Sequence, residues 1–304
     1  MLKWLLDGDA SIRWQVLRDI VRADPARVAS EREKVAATGW GAALLAWQES
    51  SGMWGHGLYS PKWISTTYTL LALRHLGLSP DNGQAQKACQ LLLDRGFYPD
   101  GGVNLFASLD HSETCVTGMI LSLVAYFKSG DERMHRLVEF LLDQQMADGG
   151  WNCESFRGAR HSSFHTTISA LEGLLEYENF HPGRVAELAA AQQRGREFLL
   201  IHRLYKSHRT GQVVNPVFTR LSFPPRWHYD ILRALDYFRE AGAVRDERLG
   251  DAIEIVRTRQ DKDGRLPLQN RHPGRTFFEM ETPGQPSRWN TLRAMRVLDW
   301  WEAR

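Results

Sequence analysis

The chain has 304 residues, with 38 Lys and Arg against 36 Asp and Glu. Because these charges nearly balance and form no long block of one sign, the composition excludes a general binder of nucleic acid or of anionic membranes. Three cysteines do not make a disulfide framework, and no apolar run approaches membrane-spanning length, so the sequence predicts a soluble, cytoplasmic protein without a transmembrane segment.

Six segments with the apolar spacing of a helix follow one another along the chain. They contain SIRWQVLRDI, WISTTYTLLALRHL, SETCVTGMILSLVAYF, SFHTTISALEGLLEY, RWHYDILRALDYF and SRWNTLRAMRVLDWW, and predict helices that start near residues 11, 63, 111, 163, 226 and 287. Five further helices are predicted between them, over 28–48, 84–95, 131–146, 185–203 and 246–260. Since no run alternates with the period of a strand, the predicted fold class is all-α.

A turn motif recurs between these helices. Gln, three residues, Gly, one residue and Trp occur as Gln48 to Trp54 and as Gln145 to Trp151, with a degenerate copy from Gln260 to Leu266. Glycine at this point suits a left-handed turn after a helix. A turn and a helix that recur together predict six inner helices inside a ring of outer ones, a single (α/α)6-type toroid domain over residues 1–304. An open superhelix of helical hairpins is the alternative.

Three residues with metal-ligand chemistry lie at two of the predicted inner-helix starts. Stacked without gaps, the helices place Glu113 and His165 in one column, and Cys115 two residues after Glu113. At the first turn of a helix such side chains can lean over its end, and zinc accepts O, S and N ligands in tetrahedral geometry. The alternatives are that DHSE is a capping box with Asp110 as its N-cap, and that Cys115 is a small buried apolar residue.

Other polar residues near the helix starts are further candidates. His228 and Asp230 occupy the same two columns one repeat later and could act as a fourth ligand, as an orienting carboxylate, or as an acid/base pair. The alternative is that Asp230 pairs with a neighbouring arginine. An alternative metal site would consist of Cys153, His161 and His165, but the spacing of these residues matches no known metal site.

The repeated turns resemble those of squalene–hopene and oxidosqualene cyclases, and the hairpin spacing resembles that of protein prenyltransferase β subunits, over roughly residues 10 to 302. Both groups are α/α toroids that carry out their chemistry in the central cavity. The Asp-x-Asp-Asp signature of the cyclases is absent from the sequence. Glu113-x-Cys115 and His165 resemble the Asp-x-Cys pair and the histidine that bind zinc in prenyltransferases.

This resemblance implies a zinc-dependent enzyme that transfers a prenyl or other alkyl group to a thiol or a similar nucleophile. Glu113, Cys115 and His165 would bind Zn²⁺, and His228 and Asp230 would be catalytic. The substrate would be a small apolar or isoprenoid-like molecule, and a partner subunit is implied because prenyltransferases have one.

The diphosphate-binding residues of prenyltransferases are not matched. An Arg and a Lys stand six and three residues before the Asp in that family, where this sequence has Ala107 and Asp110. Arg157, Arg160 and Arg226 are predicted to bind the anionic group instead.

Two other functions are compatible with the same residues. One is a non-catalytic toroid that binds an apolar ligand or a partner protein, with the polar residues only capping helices. The other is a zinc-hydroxide hydrolase, because an open zinc position can lower the pKa of bound water to about 7.

Overall fold

The computed structural model describes residues 1–127, 130–180 and 185–303. These residues form thirteen α-helices and no β-strand, apart from isolated bridges, which confirms the predicted all-α class. The helices are α1 (Leu2–Leu6), α2 (Ala10–Val16), α3 (Pro25–Ala37), α4 (Gly39–Ala46), α5 (Thr66–Leu76), α6 (Gly83–Gly96), α7 (Thr114–Tyr126), α8 (Arg133–Asp143), α9 (Phe164–Phe180), α10 (Val185–Ile201), α11 (Ile231–Glu240), α12 (Gly250–Thr258) and α13 (Arg288–Glu302).

The predicted helix starts correspond to α2, α5, α7, α9, α11 and α13. Helices α5, α7 and α11 begin three to five residues later than predicted, because the residues before them are held in turns. The predicted outer helix over 28–48 is two helices, α3 and α4, with a break at Thr38. At this break the Asp9 carboxylate accepts a hydrogen bond from the Trp40 backbone N–H at 2.9 Å, so it caps the start of α4.

The repeated turn has the same hydrogen bond in its two full copies. The side-chain amide of Gln48 donates to the Gly52 carbonyl at 2.9 Å, and that of Gln145 donates to the Gly149 carbonyl at 2.7 Å. Both glycines have φ near +90° (+87° and +93°), a conformation that other residues rarely adopt. The motif is therefore a local turn in which the Gln side chain bonds to the Gly carbonyl and the Gly supplies the positive φ.

A threonine of the following helix completes each turn. The backbone N–H two residues after the turn glycine donates to its hydroxyl oxygen in four copies: Trp54 to Thr66 (3.1 Å), Val103 to Thr117 (2.9 Å), Trp151 to Thr167 (3.0 Å) and Leu266 to Thr291 (2.9 Å). These threonines fix how each turn sits on its helix, so they define the register of the repeat.

This register differs from the gap-free stacking of the sequence. Glu113 N–H donates to the Val103 carbonyl at 3.1 Å, and Ser163 N–H donates to the Trp151 carbonyl at 2.8 Å, so Glu113 is equivalent to Ser163. Cys115 and His165 are then equivalent, each the second residue of its helix. Placing Glu113 and His165 in one column was wrong, because equivalent residues of α7 and α9, such as Thr117 and Thr167, are 50 residues apart, whereas Glu113 and His165 are 52 apart.

The chain separates into two compact units. The first consists of residues 1–47, 72–79 and 202–304, and the second of residues 48–71 and 80–201. In the second unit α7 and α9 make the most extensive helix contact among the described residues. In the first unit the Trp14 indole N–H donates to the Leu76 carbonyl at 2.9 Å in a buried setting. A single domain over 1–304 stays a prediction.

Buried charges join three helical segments of the first unit. The Asp236 carboxylate on α11 accepts from Arg296 on α13 at 2.7 and 3.0 Å, and Arg296 also donates to Gln15 of α2 at 3.0 Å. Burial alone would raise the pKa of Asp236, but Arg296, Arg239 and Arg293 outweigh it and hold that pKa well below its usual range. Asp236 is therefore ionised in the folded protein.

Among the described residues, the search for membrane-crossing helices found none with the necessary length and apolar character.

Candidate functional site

Two thiols meet where α7 and α9 begin, in the second unit. Cys153 lies in the loop before α9, and its sulfur accepts a hydrogen bond from the Cys115 backbone N–H at 3.1 Å. It also accepts from the Thr166 hydroxyl at 3.5 Å. The N-terminal turn of a helix favours negative charge, because its first N–H groups have no partner within the helix. This arrangement therefore favours a thiolate at Cys153.

The two thiols also interact directly. A hydrogen bond from the Cys115 thiol lowers the pKa of Cys153, with burial opposing this and Thr166 adding to it. The same hydrogen bond, together with burial and the Cys153 charge, raises the pKa of Cys115 well above its usual range. As the pH rises, Cys153 therefore loses its proton before Cys115 does.

Glu113 is the residue immediately before α7. Burial, together with the charge of Glu154, raises the pKa of the Glu113 carboxyl, and His111, Lys62 and Arg157 only partly offset this. Its side chain makes no capping hydrogen bond to α7. The capping-box alternative is wrong, since the N-cap of α7 is Glu113 rather than Asp110.

An aromatic cluster adjoins the two thiols. Tyr59 packs against Tyr68 with ring centroids 5.0 Å apart and against Phe106 at 4.9 Å, and Trp63 meets Tyr68 edge-on at 4.7 Å. Tyr59, Trp63 and Tyr68 are buried. Burial and the nearby Cys115 charge raise the pKa of Tyr59, so this ring stays protonated beside the thiols. The two sulfurs therefore have a buried aromatic cluster on one side.

The donor types suit zinc, although no complete ligand set is preformed. Two thiols in contact and a carboxylate beside them are groups that zinc binds. His165, the second residue of α9, is half-buried and precedes Thr166. Across the described ranges, however, no group of three or more His, Cys, Asp or Glu residues could hold a metal ion. Zinc binding by Glu113, Cys115 and His165 stays a prediction.

Sequence patterns did not identify Cys153 as the residue that contacts Cys115. Cys153 follows the repeated turn by two residues, in "WNC", and it was considered only in an alternative metal site with His161 and His165. Its contact with Cys115 spans 38 residues of sequence, so local patterns could not predict it.

The predicted catalytic residues His228 and Asp230 lie in the first unit. The buried Asp230 carboxylate caps α11, accepting from Arg233 N–H at 2.8 Å and from the Ser222 hydroxyl at 2.7 Å. The Arg233 side chain donates to the His228 carbonyl at 2.8 Å. The His228 ring stacks on His272 with centroids 3.8 Å apart. Catalysis by His228 and Asp230 stays a prediction.

His272 gives this region a pH dependence. Burial lowers the pKa of His272 to about 4; the charges of Arg226 and Arg233 add to this, and Asp230 opposes it. The unfolded chain takes up a proton near the ordinary value of about 6.5. Stability from the neutral ring is therefore complete above about pH 6.5 and falls as the pH drops toward 4, by at most about 3 kcal/mol.

Between pH 7 and pH 4.5, the free energy of unfolding should fall less in His272→Asn than in the wild type. Urea unfolding at each pH measures this difference. The exposed His161 supplies the control, because His161→Asn should follow the wild-type curve. Parallel curves for His272→Asn and the wild type would contradict the expectation.

The three arginines predicted to bind an anion have different surroundings. Arg157 and Arg160 are exposed in the loop before α9, and Arg157 donates to Glu154 at 3.0 Å, which offsets its charge. Arg226 is half-buried in the first unit. Their binding of an anionic group stays a prediction.

Comparison with known proteins gives matches among solved structures only. The structures include type II terpene cyclase MstE from Scytonema: a variant with merosterolic acid A has 15% identity and a TM-score of 0.36, over 89% of this chain and 96% of that one. A variant with geranylgeranyl dihydroxybenzoate has 16% identity and a TM-score of 0.38, over 90% and 97%. No family model and no curated protein matches the chain.

Proposed function

We propose that this chain is an enzyme that transfers a prenyl or other alkyl group to a thiol, at the site formed by Glu113, Cys115 and Cys153. The observation that carries the proposal is the Cys153 sulfur, which accepts from Cys115 N–H and from the Thr166 hydroxyl where two helices begin. A sulfur held this way is suited to bind a thiophilic metal or to react as a thiolate.

The neighbouring side chains supply the other requirements of such a reaction. The cluster of Tyr59, Trp63, Tyr68 and Phe106 offers apolar surface for an isoprenoid-like group. The raised pKa of Glu113 lets its carboxylate accept a proton from a thiol more readily than an exposed glutamate would. In the transfer, a sulfur–carbon bond forms, the bond from that carbon to the leaving group breaks, and the leaving group keeps the electron pair.

Zinc is the cofactor we propose for this site. Cys115 and Cys153 would hold it together with Glu113 or His165, and bound zinc supplies the positive charge that keeps a substrate thiol deprotonated near neutral pH. The support is the donor chemistry and the contact between the two cysteines. Zinc held by three protein ligands would keep one coordination position open, and this position would also serve a zinc-hydroxide hydrolase.

A second function is favoured by the aromatic cluster alone. Without metal or transfer activity, these rings would make the chain a binder of a small apolar ligand, as in the non-catalytic alternative. The absence of a three-residue metal group among the described residues is compatible with this function.

Metal content of protein purified without an affinity tag tests the proposal. We expect about one zinc per chain in the wild type, and its loss in Cys115→Ala and Cys153→Ala. Cys89→Ala is the matched control, because Cys89 is fully buried on α6 and should leave zinc unchanged. Loss in His165→Ala as well would identify His165 as a ligand.

A transfer assay then tests the reaction. Wild-type protein with a prenyl diphosphate and a small thiol should give a thioether detectable by mass spectrometry, and Cys153→Ala should not. Zinc-free wild-type protein would overturn the metal, and a zinc protein that forms no thioether with any thiol or prenyl diphosphate tried would overturn the transfer.

A further inference from the structure

A cavity of about 550 Å³ lies in the first unit, and its lining includes none of the residues assigned so far. It is bounded by the short 3₁₀ helix Pro216–Thr219, by the end of α12, and by the loop that leads toward α13. Its lining consists of Pro216, Thr219, Arg220, Arg259, Pro267, Leu268, Gln269 and Gly284. This volume is within the usual range for small-molecule sites, roughly 300–1,000 Å³.

The wall of the cavity is held by backbone hydrogen bonds. Leu268 N–H donates to the Gln285 carbonyl at 2.9 Å, and Gly284 N–H donates to the Leu268 carbonyl at 2.7 Å. Gln269 is the next residue in this loop, and its side-chain oxygen accepts from Leu221 N–H at 3.2 Å and from the Arg259 guanidinium. Gln269 therefore fixes Arg259 at the edge of the cavity.

Two positive charges line this cavity without a carboxylate beside them. Among the residues that the structure describes, the Arg220 side chain has no hydrogen bond or ion pair, and Arg259 bonds only to the neutral Gln269. Burial, and then the charge of Arg220, lower the pKa of Arg259. Each guanidinium carries five N–H donors, so most of these donors are available to a ligand.

We propose that this cavity binds an organic phosphate, with the phosphate between Arg220 and Arg259 and an apolar portion against Pro216, Pro267 and Leu268. Paired arginines bind phosphate oxygens through parallel N–H bonds, and a phosphate monoester with nearly two negative charges matches two guanidinium groups. A single carboxylate would neutralise only one of them. The proposal is independent of the thiol site and of its zinc.

Calorimetric titration with phenyl phosphate, which joins a phosphate to an apolar ring, tests this site. We expect saturable binding to the wild type, weakened at least about tenfold in Arg220→Ala, because a hydrogen bond to a charged group contributes roughly 1.5–3 kcal/mol. Arg209→Ala is the control, since Arg209 is an exposed arginine outside the cavity lining and should leave the affinity unchanged.

Further probes separate the alternatives. Arg259→Lys, which keeps the charge but not the fork of donors, should also weaken binding, and circular dichroism would show that it is folded. Inorganic phosphate should compete with phenyl phosphate, and benzoate should bind at least about tenfold more weakly. The proposal is overturned by equal affinity in Arg220→Ala and the wild type, by benzoate binding as tightly, or by no saturable binding.

Discussion

Replacing Asp236 by alanine is expected to lower the free energy of unfolding by about 3–5 kcal/mol. Asp236 is 8% exposed and accepts from Arg296 at 2.7 and 3.0 Å, while Arg293 and Arg239 lie 3.4 and 3.2 Å from its oxygens. Without the carboxylate, Arg293 and Arg296 would stay buried with much of their charge uncompensated. Urea unfolding followed by circular dichroism measures the loss.

The control for this substitution is Asp263→Ala, because Asp263 is exposed and its replacement should change stability by less than about 0.5 kcal/mol. The pH gives a second check. Since the folded pKa of Asp236 lies below its unfolded value of about 4, its contribution is present above that pH and is lost as the pH falls. The difference between wild type and variant should therefore shrink below about pH 4. A loss of less than about 1 kcal/mol at pH 7 would contradict the expectation.

The helices and the repeated turn could be predicted from the sequence because both depend on short-range patterns. Apolar residues at three- and four-residue spacing predict a helix whatever it packs against. Likewise, Gln48 and Gly52 interact within a single turn. The register between repeats could not be predicted this way, because loops differ in length and the threonines that fix it, such as Thr117 and Thr167, form contacts across 14 and 16 residues.

In the candidate site, too, the residues in short-range patterns could be predicted, and the contact made by helix packing could not. Cys115 and Glu113 could be identified because they start a helix with ligand-type side chains, whereas Cys153 reaches Cys115 only through the packing of two helices. A shared sequence motif also fails to predict how buried its residues are. Arg18 and Arg293 end the same Arg-Trp-x-x-Leu-Arg sequence, but the Arg18 side chain is 45% exposed and that of Arg293 is 7% exposed. Burial of the second arginine depends on Asp236 of another helix.

The close approach of α7 and α9 makes Gly118 the second position where one small change should have a large effect. A Cβ atom at Gly118 would lie 2.6 Å from the Ser169 carbonyl oxygen and 2.8 Å from the Ala170 nitrogen, and one at Gly173 would lie 2.5 Å from the Gly118 oxygen. These neighbours are backbone atoms, which cannot rotate away. We expect Gly118→Ala to lower the free energy of unfolding by about 2 kcal/mol, even after alanine gains roughly 1 kcal/mol in helix propensity.

The same substitution should change the thiol site, because Cys115 and Thr166 lie near the N-terminal ends of these two helices. Moving the helices apart lengthens the hydrogen bonds that hold the Cys153 sulfur, so alkylation of Cys153 by iodoacetamide at pH 7 should become several-fold slower. Peptide mass mapping measures it, with the buried Cys89 unlabelled while the protein is folded. Gly250→Ala is the control, because nothing lies within 4 Å of a Cβ there. Unchanged labelling in a destabilised Gly118→Ala would mean that the helix contact does not position the thiols.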